Sequence, residues 1–271
     1  SISKLSRAAH FKEVTMPNYE VVSKEIHKNQ RWKPSSNFKF ASQDAMCPLI
    51  LQELPKAALH LPIAFSKAGS NFGLFAVQGL EASSNYLIDE TGGWRAGYMP
   101  IAYRGYPFAL ASSEDDRQVL CFDVESGLLS NTEGHDFFDS EGEPSIHIKE
   151  ILNLLSQISD NRNATHSLCR LLNELDLLEQ WPVSVTKENK ETKVEGLYRV
   201  NEAKFNSLEA NSLMLLREKG ALPLIFCQLL SMQNLTRIAQ WGNPQSHNTE
   251  LPEELDFDFS KDGGSISFEG L

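Results

Sequence analysis

The sequence has no long apolar run, no paired-cysteine motif and no common catalytic signature, and each absence removes a class of function. The longest apolar stretch, Ala221 to Leu230, is interrupted by Gln228, and it reaches only half of the roughly 20 residues that a membrane helix needs. No membrane span is expected. Cys47, Cys121, Cys169 and Cys227 are far apart, sit in apolar surroundings such as Val119-Leu120-Cys121-Phe122, and form no CxxC pair. Buried free thiols are therefore expected rather than a disulfide framework. There is no GxSxG elbow, no Gx4GK[ST] loop, no HExxH and no GxGxxG, so hydrolase, P-loop and dinucleotide readings lose their usual support. No basic segment followed by an apolar core opens the chain. A cytoplasmic location is expected, with the cell surface as the alternative if a leader ahead of Ser1 has been removed.

Basic charge is also scarce. The 25 Lys and Arg are outnumbered by 36 Asp and Glu, a net charge of −11, which repels phosphate backbones and anionic lipid over most of the surface. Nucleic acid is excluded as the expected partner. The excess is uneven: residues 1–44 carry eight bases against four acids, whereas Glu250 to Leu271 carry seven acids against Lys261 alone. Residues 241–271 are thus expected to be an acidic tail, with Phe257, Phe259 and Phe268 as potential docking points.

What is present reads as an α+β fold: an antiparallel β-sheet with helices from the C-terminal half packed against it, in one domain over residues 1–240. Residues 60–125 are expected to be mainly β. Leu61-Pro-Ile-Ala-Phe65 and Phe72-Gly-Leu-Phe-Ala-Val77 flank a turn at Lys67 to Asn71, and Asp89-Glu-Thr-Gly-Gly93 supplies a second turn between Tyr86-Leu-Ile88 and Trp94 to Tyr98. Val119 to Val124 completes the expected sheet. Before it, residues 1–45 favour short strands and loops, and Pro48 to Ala58 a short helix. Beyond Pro144 the hydrophobic period changes to three or four. Ile148, Ile151, Leu152, Leu155 and Ile158 mark one helix, and Ala164, Leu168, Leu171, Leu172 and Leu175 a second, with Ser159-Asp-Asn161 as the break of an αα-hairpin. Residues 144–240 are otherwise mainly α, interrupted by a β-hairpin at 182–200. Asn201 is the expected N-cap of the helices that follow, Gly220 a C-cap, and Pro223 the start of the last helix.

The candidate sites are few. None of the seven histidines stands two residues before an acid, the spacing usual in a non-haem iron site. His147 and Glu150, three apart on a helix, fit a solvated face better than a shared metal. The acids of Asp136 to Glu143 lack the ligand order of a calcium loop and fit a solvated turn. No cofactor is indicated. The densest cluster of unusual residues is Trp94, Arg95, Tyr98, Tyr103, Arg104, Tyr106 and Phe108. Rings and guanidiniums together make ligand or protein hot spots. They also make ordinary core, with the arginines snorkelling over it. Ring exposure separates the two. Trp94, Arg95, Tyr98, Arg104 and Tyr106 are the candidate binding residues.

Several strings carry a resemblance: Leu61-Pro-Ile-Ala-Phe65, Asn85-Tyr-Leu-Ile-Asp89, Trp94-Arg95, Tyr98-Met-Pro100, Arg104-Gly-Tyr-Pro-Phe-Ala-Leu110, Glu195-Gly-Leu-Tyr-Arg-Val-Asn-Glu-Ala-Lys-Phe-Asn206 and Leu216-Arg-Glu-Lys-Gly-Ala-Leu222. Over about residues 10–240 the chain resembles the bacterial SapC family. That family takes its name from a gene associated with surface-layer arrays. The resemblance implies a non-enzymatic binding or accessory protein with an envelope or surface-layer protein as partner, and it supplies no catalytic residues. The alternative is an enzyme, or an accessory to one, acting on a small molecule or protein side chain through a pocket lined by the Trp94 to Phe108 segment.

Overall fold

A computed structural model describes residues 18–69, 71–112, 117–187 and 190–242. The expected α+β architecture is present, but its β-structure is divided among several antiparallel sheets rather than gathered into one. The expected hairpin forms from β-strands that pair Ile63 with Ala76 and Ala68 with Asn71. In chain order the strands are β1 (Tyr19–Val21), β2 (Arg31–Trp32), β3 (Met46–Pro48), β4 (Ile63–Ala68), β5 (Asn71–Val77), β6 (Phe108–Ser112) and β7 (Gln118–Asp123). They continue with β8 (Leu129–Ser130), β9 (His135–Asp136), β10 (Leu178–Gln180), β11 (Val183–Lys187), β12 (Lys190–Val194) and β13 (Tyr198–Val200).

The main sheet runs β10-β13-β4-β5-β3, so it joins strands from both halves of the chain. β6 and β7 belong instead to a three-stranded sheet with β1, and β2 pairs with β8 and β9 in another. This corrects the expectation of one sheet over residues 60–125. The reason lies in residues 86–98, which make a single bridge, Ile88 to Trp94, and no strand. Several of their polar groups are bound within the segment. Asp89 Oδ1 accepts from the N–H of Thr91 and Gly93 at 2.9 and 2.8 Å, and the Trp94 indole donates to the Tyr98 carbonyl at 2.9 Å. Groups bound in such local turns are not offered to a ladder.

A second correction concerns the expected αα-hairpin. Residues Ile146–Glu174 form one helix of 29 residues, here α3. Ser159-Asp-Asn161 contains neither Gly nor Pro, and polar residues across it bond within the helix. Asn161 Nδ2 donates to Gln157 O at 3.3 Å and Thr165 Oγ1 to Asn161 O at 2.8 Å. Polar composition alone does not end a helix whose apolar face stays in register. Ser145 caps α3 by accepting from the Ile148 N–H.

The expected strand over 192–200 is divided at Gly196, whose φ of +83° bends the chain. β12 stays with β11, while β13 enters the main sheet. The remaining helices are α1 (Lys24–His27), α2 (Leu54–Ala57), α4 (Glu202–Asn206), α5 (Ala210–Glu218), α6 (Leu222–Ser231) and α7 (Leu235–Gly242). Asn201 caps α4, Gly220 follows α5 with φ +72°, and Pro223 sits in the first turn of α6, as expected. α7 follows α6, so Pro223 does not open the last helix. The expected acidic tail lies outside the described residues from 243 onward.

The largest hydrophobic cluster joins Leu61, Ile63, Phe65, Leu74 and Val77 of the β4–β5 region to Leu168 and Leu172 of α3 and to Leu224 and Ile225 of α6. A smaller one holds Trp32, Phe108, Leu120, Phe122, Phe137 and Ile148.

Three buried polar residues after Ala221 finish the main sheet. β13 meets β4 in one register pair only, Tyr198 with Phe65, which leaves neighbouring backbone groups to be satisfied elsewhere. The Gln228 amide supplies them: its Oε1 accepts from Val200 N–H at 3.0 Å and its Nε2 donates to Ile63 O at 3.1 Å. Ser231 Oγ accepts from Ile63 N–H at 2.9 Å, and Asn234 Nδ2 donates to Ala58 O at 2.8 Å. Replacing Gln228 by Leu keeps much of the volume but orphans two buried backbone groups at about 1–3 kcal/mol each, so a loss of about 2–6 kcal/mol is expected. Chemical denaturation of Gln228→Leu checks this, and wild-type stability in that variant would show that the bridge contributes nothing.

Candidate functional site

The Trp94–Phe108 segment wraps a buried carboxylate that composition does not single out. Glu53 lies in a 3-10 turn just ahead of α2 and is 4% exposed. Its Oε1 accepts from the Ile50 N–H at 3.0 Å. Its Oε2 accepts from the Ile101 N–H at 2.8 Å and the Tyr98 hydroxyl at 2.9 Å. Burial pushes the Glu53 carboxyl above its ordinary range, while the three hydrogen bonds and the field of Arg104 act in the opposite direction. Burial likewise raises the Tyr98 phenol, with the negative charge of Glu53 adding to it.

Beside this carboxylate is a second buried group. The Tyr103 hydroxyl lies 2.8 Å from Gln78 Oε1 and 3.2 Å from Asp44 Oδ2. Gln78 Oε1 also accepts from Asn85 Nδ2 at 2.8 Å, and Asn85 Oδ1 accepts from the Leu87 N–H at 3.0 Å. Gln78 and Asn85 are both buried, and Gln78 Nε2 has no hydrogen-bond partner among the described residues. Cys47 is 1% exposed, and burial holds its thiol well above the usual range. A thiol kept protonated in this way is a poor nucleophile.

The structure divides the five candidate residues among three surroundings. Trp94 and Tyr98 are half-buried at the Glu53 centre, and the Trp94 ring meets Phe38 and Tyr103 edge-on, at 5.8 and 5.9 Å between centroids. Arg104 is exposed at its rim. Arg95 is exposed on another side, with its guanidinium 3.5 Å from the Tyr86 carbonyl. Tyr106 is turned away: its ring stacks on Phe40 at 3.8 Å, and its hydroxyl donates to Asp123 Oδ2 at 3.3 Å. Burial and Asp123 push that phenol up to about 12. Tyr103 and Phe108 are buried. The rings are therefore neither wholly core nor wholly surface, and the outward elements of the segment are its two arginines.

Matching strings on residues 61–110 and 195–222 now have a structural meaning, because they supply part of β4, the segment around Glu53, β13, α4 and the end of α5. The SapC family model matches residues 22–238. The chain belongs to the SapC family. No curated protein and no solved structure matches it. In this SapC-family chain an open cleft of about 590 Å³ is lined by Asn18, Tyr19, Glu20, Val21, Ser23, Ile26 and Val124, none of them from the Trp94–Phe108 segment. The Asp136–Glu143 acids form an exposed turn in which Asp139 Oδ1 accepts from the N–H of Glu141 and Glu143.

Cys47 is the buried free thiol that the sequence leads one to expect, whereas Glu53, Gln78 and Asn85 are not singled out as site residues by the sequence. For Glu53 there was one usable signal, a lone acid in Leu49-Ile-Leu-Gln-Glu-Leu-Pro55 standing three residues after the backbone donor it accepts from. Glu53→Gln replaces one acceptor oxygen by a donor facing donors, and an expected loss of about 1–3 kcal/mol follows. Tyr98→Phe removes only one of the three donors. Thermal unfolding of both single variants and the double variant checks the linkage: the two losses should add to more than the loss in the double, and strict additivity would show that the two groups act independently.

Proposed function

We propose that this SapC-family protein is a non-enzymatic binding or accessory protein that serves surface-layer or cell-envelope biogenesis by engaging a protein partner, acting from the cytoplasm. The observation that carries the reading is the direction in which the polar groups point. The Glu53 carboxylate, the Tyr98 hydroxyl and the Trp94 indole are engaged with one another or with backbone inside the fold. Arg95 and Arg104 remain outward, and neither forms a salt bridge within the described residues. A rigid base carrying exposed guanidiniums beside half-buried rings suits recognition of a carboxylate-bearing protein surface. The link to the envelope rests on family membership and on the origin of the family's name.

Affinity capture from the native cell tests it. Wild-type bait is expected to recover an envelope or surface-layer protein, and the Arg95→Glu, Arg104→Glu bait to recover about tenfold less, since like charges then face each other. A wild-type bait that brings down no such component, or a variant that captures it undiminished, removes the proposal.

The second reading is an enzyme, or an accessory to one, that acts on a small molecule or protein side chain. It is favoured by one fact, a buried carboxyl of raised pKa close to a thiol and two phenols, because such clusters are enriched at reactive sites. Native mass spectrometry of protein isolated from its own cell distinguishes it. A small molecule retained by wild type and lost from folded Glu53→Gln is its expected mark, and identical ligand-free spectra for both proteins count against it.

A further inference from the structure

Residues 18–33 are fastened to the rest of the fold by short contacts. β1 lays three residues along β7, and β2 places two residues between β8 and β9. Three ion pairs tie the same stretch to residues 133–143: Lys24 with Glu143 at 3.4 Å, Arg31 with Asp136 at 3.0 Å and Lys33 with Glu133 at 2.6 Å. All six side chains reach solvent, and exposed pairs of this kind add little stability. Beneath them lies a concentration of unpaired polar atoms. Among the described residues five buried side-chain polar atoms lack a hydrogen-bond partner, and three of these, His27 Nε2, Gln30 Oε1 and Trp32 Nε1, fall within one short stretch. Each such group costs stability, so residues 18–33 belong with the segments that open at low cost.

We infer that residues 18–33 form a clasp that opens at mildly acidic pH, when the buried His27 ring becomes protonated. His27 is 0% exposed, and its ring rests on Phe137 at 4.8 Å between centroids. The Ser23 N–H donates to its Nδ1 at 3.3 Å, which places the proton of the neutral ring on Nε2. Protonating Nδ1 forfeits that bond and puts a charge where Nε2 already has no acceptor. Burial holds the imidazole below its ordinary value, against the opposing pull of the Ser23 backbone and of Glu20 on β1. The other charged groups of the joint are engaged or exposed. Lys24 on the same helix is held by Glu143, and Asp136 of the facing segment by Arg31, while Glu25 and Lys28 lie in solvent. His135 on β9 is the remaining titratable neighbour, with its ring 5.1 Å from Trp32 and 3.8 Å from His147 of α3. Because the closed form disfavours the charged ring, its stability is full above about pH 6.5, the ordinary imidazole value, and is lost as the pH falls below it. Opening withdraws Trp32 from the cluster of Phe108, Phe122 and Phe137 and uncovers those rings.

Hydrogen exchange of the full chain at pH 7.5 and pH 5.5, read by mass spectrometry and corrected for the intrinsic rate, tests the clasp. Peptides from residues 18–33 are expected to lose protection about five- to tenfold at pH 5.5, the amount that one imidazole barred from protonation in the closed form dictates. Peptides from β4, β5 and α6 are expected to keep theirs. Exposed carboxylates titrate near pH 4, below this interval. His27→Phe keeps a ring against Phe137 without an ionisable nitrogen, and His27→Asn keeps an acceptor for the Ser23 N–H; both are expected to abolish the pH response. His135→Gln is expected to retain it. The clasp is overturned by wild-type protection of residues 18–33 that is the same at both pH values, or by a loss shared equally across the chain. A response that survives in either His27 variant, or vanishes in His135→Gln, overturns it as well.

Discussion

The Gln228 amide is the joint on which the main sheet depends. A sheet that draws strands from residues 46–77 and 178–200 must close contacts far apart in the chain, and the seam between β4 and β13 is its narrowest point, with a single register pair. Extending that ladder would have satisfied the backbone directly. Instead α6 crosses the seam and inserts one side chain with both a donor and an acceptor, matching the free C=O of Ile63 and the free N–H of Val200. Only Gln and Asn carry that pair of groups on one planar amide. Ser231 and Asn234, on the turns that follow, treat Ile63 N–H and Ala58 O in the same way. The stabilisation is the avoidance of orphaned backbone, which is larger than the net gain of an ordinary hydrogen bond.

Glu53 is the same device at the other end of the sheet. One carboxylate gathers the N–H of Ile50, the N–H of Ile101 and the hydroxyl of Tyr98, and so ties the turn before α2 to a segment some 50 residues later that has no strand of its own. Its cost is visible in the raised carboxyl pKa, because burial disfavours the charge that the three donors require. Arg104 lowers that cost from the rim without an ion pair. Arg104 thus stands at the exposed end of a segment whose inner end is fixed to Glu53 through the Ile101 N–H and the Tyr98 hydroxyl.

Local chemistry made part of this legible in the sequence. The β4–β5 hairpin shows in its residue types, and Asn201, Gly220 and Pro223 mark helix ends because capping needs only neighbours in sequence. The family was legible in its strings. What stayed hidden depends on partners distant in the chain. Nothing within ten residues of Gln228 reveals that it meets residues 63 and 200, and Glu53 reads as a surface acid until Ile101 and Tyr98 arrive. The break expected at Ser159-Asp-Asn161 failed for a different reason: the segment holds neither Gly nor Pro, and the Asn161 side chain bonds back to the Gln157 carbonyl of the same helix. Arg95 and Tyr106 look like neighbours of Arg104 in sequence, yet the turns at Pro100 and Tyr103 send them to different surroundings.

Amphipathicity is inverted on α6, and the two halves of that inversion have separate causes. The inner polar residues are explained completely by the sheet seam, since each finds a backbone partner on β4, β13 or the α6 carbonyls. The core therefore pays for no unsatisfied group there. On the outside the helix stays apolar: Phe226 meets the Phe205 ring edge-on, and Leu230 is 66% exposed at a position where charge would gain solubility.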